Sequence, residues 1–223
     1  MAKRIQGMLL DVDGTLVDSN DSHTHAWLDA MAEQGYHPDF EKVRPLIGMG
    51  GDKVLPETIG VEKNSETGKK LEQRRKQIFQ EKYLPNLKPF PMARELLYRM
   101  HQDGLALVIA TSSSQEELQK LLAVIGPDVQ DWITQETTSQ DASQSKPDPD
   151  IMNAAMQRAK LPANALLMLG DTPYDIESAG KASIKTIALQ SGGWDDTDLA
   201  QAIAIYDNTA DLLAHYEDSP ICK

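Results

Sequence analysis

Ile5-Gln6-Gly7-Met8-Leu9-Leu10-Asp11-Val12-Asp13-Gly14-Thr15 is the stretch on which the fold turns. The run from Ile5 to Val12 reads as a strand buried on both faces, the kind that parallel sheets contain. Its end carries two acids, Asp11 and Asp13, followed at once by a turn-forming glycine. Ligands of open parallel sheets bind beyond the carboxyl ends of the strands, so these acids stand where chemistry takes place. Further runs of the same kind follow at Leu105 to Ala110, Ala165 to Leu169, Lys185 to Leu189 and Ala202 to Tyr206, with a weaker one at Trp132-Ile133-Thr134. Helical periodicity fills the intervals over Pro91 to Gln102, Gln115 to Ile125, Pro149 to Lys160 and Tyr174 to Lys181. Strand and helix in alternation predict a three-layer, Rossmann-like α/β core with a parallel sheet.

One segment breaks the alternation. Between the first strand and Pro89 there is almost no strand signal, while Asp21 to Gln34 and Ser65 to Tyr83 carry helical patterns, the first stopped by Gly35. An α-helical cap inserted over 18–87 is therefore predicted, with the core formed by 1–17 and 88–223 and the return marked by Pro85 and Pro89. The basic residues Lys69-Lys70 and Arg74-Arg75-Lys76 are interleaved with Glu and Gln and are expected on a solvated helix face.

Twenty-two Lys and Arg against thirty-four Asp and Glu give a net charge of −12 over 223 residues. Such a balance excludes nucleic acid as the main partner, because a phosphate-backbone binder needs a basic face. It does not exclude a small anion, whose surroundings are set by local lysines and metal. The single cysteine, Cys222, permits neither an internal disulfide nor a Cys-rich zinc site. No stretch reaches the roughly 18 apolar residues of a membrane span. The basic start Met1-Ala2-Lys3-Arg4 leads into a run that Asp11 ends too early for a signal peptide, so a cytoplasmic protein is expected.

The chemistry-bearing groups recur at strand ends. Asp11-Val12-Asp13-Gly14-Thr15 by itself could be a plain Asp-Gly turn. An EF-hand is ruled out, since Gly14 comes fourth from Asp11 rather than sixth. Thr111 and Ser112-Ser113-Ser114 end the second clear strand, Lys146 lies in Ser145-Lys-Pro-Asp-Pro-Asp150 before a helix, and Gly170-Asp171-Thr-Pro-Tyr-Asp175 ends another strand. Acids, hydroxyl, lysine, then acids again is an order that chance rarely supplies. Gly68-Lys69-Lys70 is no phosphate loop, because Lys63 takes the place of its first glycine and Lys70 that of its hydroxyl residue.

In that order the motifs resemble those of the haloacid dehalogenase superfamily, in its phosphatase branch with a helical cap, and phosphoglycolate phosphatases and β-phosphoglucomutase most of all. The resemblance spans essentially the whole chain. It implies a Mg²⁺-dependent phosphatase acting on a small phosphorylated metabolite, a phosphoglycolate-like or sugar phosphate. In that pattern Asp11 is the nucleophile, forming an aspartyl-phosphate. Asp13 is the general acid and base. Lys146 is catalytic, and Val12, Thr111 and Ser112 bind phosphate. The metal is held by Asp11, Asp13 through its carbonyl, and Asp171, with Asp175 acting through water or on a neighbour.

Relatives with other chemistry set the alternatives. Asp13 argues against the haloacid dehalogenases themselves and against phosphonoacetaldehyde hydrolases, which lack that acid. Met49-Gly50-Gly51-Asp52-Lys53 resembles the cap-lysine region of the latter, and Lys53 is expected to serve substrate specificity or cap closure. His23 falls where β-phosphoglucomutase has a cap histidine and Trp27 follows similarly, yet that enzyme's cap arginine falls near Gly51. A mutase is thus the runner-up, with His23 either touching substrate or packing the hinge. A non-catalytic phosphate-binding module is the third reading.

Overall fold

The computed structural model describes residues 5–223; the basic Met1–Arg4 stretch lies outside the described residues. Strands β1 (Gly7–Leu10), β2 (Ala106–Ala110), β3 (Gln135–Thr137), β4 (Leu166–Gly170), β5 (Lys185–Leu189) and β6 (Ala204–Tyr206) form one sheet in the order β3-β2-β1-β4-β5-β6. Every pairing is parallel. Leu10 lies opposite Ile109 on one side and Leu169 on the other. Asp11, Thr111 and Asp171 therefore leave the sheet together at one carboxyl edge.

Alternation along the strands sorts the core into two layers. Met8, Leu10, Leu107, Ile109, Leu167 and Leu169 face α5 (Ala93–Gln102) and α6 (Gln115–Ile125), in one cluster with Leu96, Leu97, Leu118 and Leu121. Leu9, Val108, Ala110 and Met168 face the opposite way, toward Ile151, Met152 and Ala155 of α8 (Asp150–Ala159) and Ala179 of α9 (Pro173–Lys181). Burial of each such leucine is worth about 1.5–3 kcal/mol, which explains why the central strand carries no polar side chain before Asp11. The short α7 (Val129–Trp132) lies between α6 and β3, and Leu212 of α10 (Thr209–Ala214) packs into the first layer.

Residues between β1 and α5 are helical: α1 (Asn20–Ala32), α2 (Phe40–Val43), α3 (Gly51–Ile59) and α4 (Glu66–Ile78), the last running on as a π turn over Phe79–Tyr83. Ser65 begins α4 by accepting a hydrogen bond from the Gly68 amide at 3.0 Å. Trp27 and Met31 of α1 share one buried cluster with Leu71, Ile78 and Phe79. The two chain crossings between this unit and the sheet are tied side by side, Asp18 N donating to Lys88 O at 3.0 Å and Phe90 N to Leu16 O at 2.9 Å.

Two elements differ from the sequence expectation. Trp132-Ile133-Thr134 is not a strand: Trp132 closes α7 and the strand follows at Gln135–Thr137. Trp132 instead packs against Tyr98, with the Arg94 guanidinium over its ring. Helix α3 escapes the periodicity because Pro56 and two glycines mask it.

Candidate active site

At the carboxyl edge of β1 the chain turns sharply, and the turn is made possible by Gly14. Its φ is +79°, and a Cβ there would sit 2.2 Å from both Asp171 Oδ2 and Asn20 Nδ2. Gly192 does the same from the other side, since its Cβ would stand 2.0 Å from Asp171 Oδ2. Asp171 is thus wedged between two glycines. Its Oδ1 accepts from Thr15 Oγ1 at 2.7 Å and its Oδ2 from Asn20 Nδ2 at 3.0 Å.

Lys146, fully buried, places its ammonium 2.6 Å from Asp11 Oδ1 and 2.7 Å from Asp175 Oδ1. Asp175 also closes a capping box at the start of α9, its Oδ2 accepting from Thr172 Oγ1 at 2.7 Å and from the Thr172 amide at 3.1 Å. Asp13 is held differently. Its Oδ1 accepts from Ser19 Oγ at 2.6 Å and lies 2.8 Å from His23 Nε2, while its Oδ2 accepts from Ser113 Oγ at 2.8 Å. Arg75 Nη1, a donor only, lies 3.4 Å from His23 Nδ1, which leaves Nε2 to donate to Asp13. The imidazole stacks on Phe79 at 4.0 Å, and Arg75 is anchored in turn on buried Glu117 at 2.8 Å.

Electrostatics separates the acids. Burial drives Asp171 up to about 7, with the charge of Asp175 adding to it against the hydrogen bonds from Thr15 and Asn20. Burial also raises Asp11 well above the ordinary carboxylate value; Lys146 opposes this, and Asp175 and Asp171 add to it. For Asp13 burial is outweighed by the electrostatic contact with His23 and by hydrogen bonds from His23, Ser19 and Ser113, which hold it at about 2. Burial disfavours the Lys146 ammonium, but the charges of Asp11 and Asp175 more than compensate and raise it.

Asp11, Asp171 and Asp175 each offer an oxygen within 4.8 Å of the others. Lys146 pairs with Asp11 and Asp175, while Asp171 has only the neutral donors Thr15 and Asn20, so hard oxygen donors outnumber the one ammonium at this point. That donor set fits a divalent cation of the oxygen-preferring kind.

A cavity of about 440 Å³ opens onto this edge and runs up to the helical unit. Asp11, Asp13, His23, Thr111, Ser112 and Lys146 all line it. Val12 is wholly buried beneath it. Asp171 and Asp175 sit behind Asp11, and Lys53 is elsewhere: its ammonium lies 2.9 Å from Asp148 Oδ2 and donates to Gln144 Oε1 at 3.3 Å, a clasp between helical unit and core. Ser112 ties the same two parts, donating to Gly48 O at 3.1 Å. The basic face of α4 is not simply solvated, since Lys69, Arg75 and Lys76 border the cavity. Sequence reasoning also passed over Ser19, Asn20, Ser113 and Glu117. Only Ser113 had a signal, the run of hydroxyls after β2.

Residues 8–189 match the family of haloacid dehalogenase-like hydrolases. A phosphoglycolate phosphatase of Rhodospirillum rubrum is 26% identical over 217 residues, covering 93% of this chain and 89% of that protein. An N-acetylmuramic acid 6-phosphate phosphatase of Pseudomonas aeruginosa is 25% identical over 190 residues, 85% of this chain and 83% of the relative. The crystal structure of a hydrolase from Pseudomonas syringae superposes with a TM-score of 0.87 at 28% identity, covering 96% of this chain and 98% of that one.

Proposed function

The chain belongs to the haloacid dehalogenase-like hydrolases and is an enzyme of the phosphatase kind; from that premise we propose that it is a Mg²⁺-dependent phosphatase that hydrolyses a small phosphomonoester through an aspartyl-phosphate on Asp11. One observation carries the reading. Asp11 and Asp13 face one cavity two residues apart, the first paired to the Lys146 ammonium and the second held by Ser19, His23 and Ser113. The first is thus a carboxylate steered by a cation at the cavity edge, and the second a carboxylate fixed in place to carry a proton to and from a group in that cavity.

An Asp11 carboxylate oxygen attacks phosphorus and the bond to the leaving alkoxide breaks. Asp13, ionised in the free enzyme, takes up a proton as the anionic substrate settles beside it and gives that proton to the alkoxide as it departs. In the second half Asp13 takes a proton from water, the hydroxide so formed attacks the aspartyl-phosphate, and phosphate leaves with Asp11 restored. Splitting the displacement in two lowers each barrier. Lys146 offsets repulsion between the Asp11 carboxylate and the substrate's anionic oxygens, and Thr111, Ser112 and the amides of Val12 and Asp13 bind the transferring group. Mg²⁺, when held by Asp11, Asp171 and the Asp13 carbonyl with Asp175 behind, supplies neutralisation of the transferring phosphoryl charge. His23 orients Asp13, and Lys53 helps keep the cap closed over the cavity.

Phosphate release from a panel of small phosphomonoesters, with Mg²⁺ and with EDTA, tests this for wild type and Asp11→Asn. Release that needs Mg²⁺ and drops at least a thousandfold in Asp11→Asn is expected. Undiminished release by Asp11→Asn would remove the covalent route.

A further inference from the structure

The cavity runs from Asp11 to the cap, so whatever the leaving group carries must meet the cap wall. The helical unit lines it with His23 and Trp27 of α1, with Ile47 and the glycine-rich segment after it, and with Lys63 and α4. The segment Gly48-Met49-Gly50-Gly51 is packed too tightly for substituents. A Cβ at Gly48, where φ is +108°, would lie 2.9 Å from Thr172 Cγ2; at Gly50, 2.9 Å from Ser145 Cβ; at Gly51, 2.4 Å from Glu72 Oε1. Met49 alone reaches the cavity from this segment with more than backbone, and it is uncharged.

The cations of the helical unit that line the cavity are Lys63 and, on α4, Lys69, Arg75 and Lys76. Lys69, Gln73 and Lys76 stand at i, i+4 and i+7, one helix face, and all three line the cavity. The cations there are unequal. Lys63 is paired with Glu72 at 3.4 Å, Arg75 with Glu117 at 2.8 Å and Lys76 with Glu116 at 2.8 Å. Among the described residues Lys69 has no carboxylate within ion-pair distance, although the protein carries a net charge of −12. An unpaired ammonium one helical turn from an amide donor, both lining the cavity that holds Asp11, fits an anion.

We infer that the substrate's leaving group bears a second anionic group, a carboxylate or a second phosphate, and that Lys69 with Gln73 is the specificity determinant that receives it. This rests on Asp11 being the phosphoryl acceptor. The long-range field of an acidic protein repels such a substrate, so a local uncompensated lysine decides its affinity.

The test compares substrate pairs that differ only at the far end: phosphoglycolate against its uncharged amide, and propane-1,3-diol bisphosphate against propyl phosphate. Wild type is expected to favour the charged member of at least one pair in kcat/KM, and the responding pair says whether carboxylate or phosphate is taken. Lys69→Gln should cut that preference about tenfold, chiefly through KM, as for loss of one charge-assisted hydrogen bond. Lys69→Glu should invert it. Lys70→Gln, a neighbouring residue paired with Glu66 and away from the cavity, should keep the wild-type preference. Equal turnover within both pairs by wild type, or an unchanged preference in the Lys69 variants, would overturn the inference. Calorimetric binding of the same compounds to Asp11→Asn separates the two readings. A Lys69-dependent preference in binding without any hydrolysis by wild type upholds the anion site and removes the phosphatase assignment.

Discussion

Asp171 is a carboxylate that the fold isolates between two glycines, and its protonation is coupled to folding. Its value in the folded protein without metal is about 7, against an ordinary 3.8. Between those values the folded protein keeps a proton that the unfolded chain has released, so stability falls as pH rises through the window. The contribution is complete below the ordinary value and lost above the folded one. Asp13 has the opposite sign: held at about 2, it contributes above 3.8 and is lost only as pH falls toward 2. The melting temperature of metal-stripped protein should therefore decline from about pH 4 to about pH 7, and Asp171→Asn should make the decline shallower, the remainder coming from Asp11, which burial also raises. Mg²⁺ should raise the melting temperature more at the upper end, with proton uptake by buffer detectable by calorimetry. An undiminished slope in Asp171→Asn would assign the effect elsewhere. Asp11 and Asp171 stand where an apolar run stops at a charge, which marked them in the sequence, whereas Asp13, Lys146 and Asp175 were singled out by the order of the motifs and the family resemblance. The fold gathers all five at one sheet edge. Ser19, Asn20 and Glu117 were not legible in the sequence. They are ordinary polar residues whose roles arise only when the helical unit folds back over the sheet edge.

Helix α4 shows where propensity and packing disagree. Alanine is a better helix former than glycine by about 1 kcal/mol. At Gly68, however, a Cβ would stand 2.2 Å from Glu62 O and 2.6 Å from Lys63 O, both backbone atoms that cannot swing aside. Gly68 also supplies the amide that Ser65 caps. Gly68→Ala should therefore destabilise the protein by about 2 kcal/mol, as overpacking does, read as a lower denaturation midpoint at unchanged slope. A stabilised variant would mean that the turn before α4 yields freely. Legibility at this scale followed burial. Strands β1, β2, β4 and β5 are apolar and were placed within a residue or two, whereas β3, an edge strand of Gln-Glu-Thr, has no apolar run to read. The charge run of α4 looked solvated because nothing in a sequence tells which side of a charged helix will face a cavity.

The helical residues between β1 and α5 leave and rejoin the sheet at two adjacent stretches of chain, 17–19 and 87–89, and are tied to the core by further contacts. Arg44 Nη2 donates to Gly192 O at 2.7 Å, Tyr174 Oη to Pro45 O at 2.8 Å, and Lys53 lies 2.9 Å from Asp148. Each is partly exposed and worth roughly 0.2–1 kcal/mol, so together they bias closure without locking it. Gly192 also walls Asp171, so the Arg44 contact reaches the acidic edge of the site, while Lys53 and Tyr174 contact none of Asp11, Asp13, Lys146, Asp171 and Asp175. Lys53→Gln combined with Tyr174→Phe should accordingly lower the closed population a few-fold. The expected readouts are a KM raised several-fold, a smaller fall in kcat, a larger radius of gyration by small-angle scattering, and a melting temperature near that of wild type. Lost stability with unchanged KM would instead make these contacts part of the scaffold. The distinction matters because, on the proposed function, a cap that opens to admit substrate and closes over the aspartyl-phosphate needs contacts weak enough to break in every turnover.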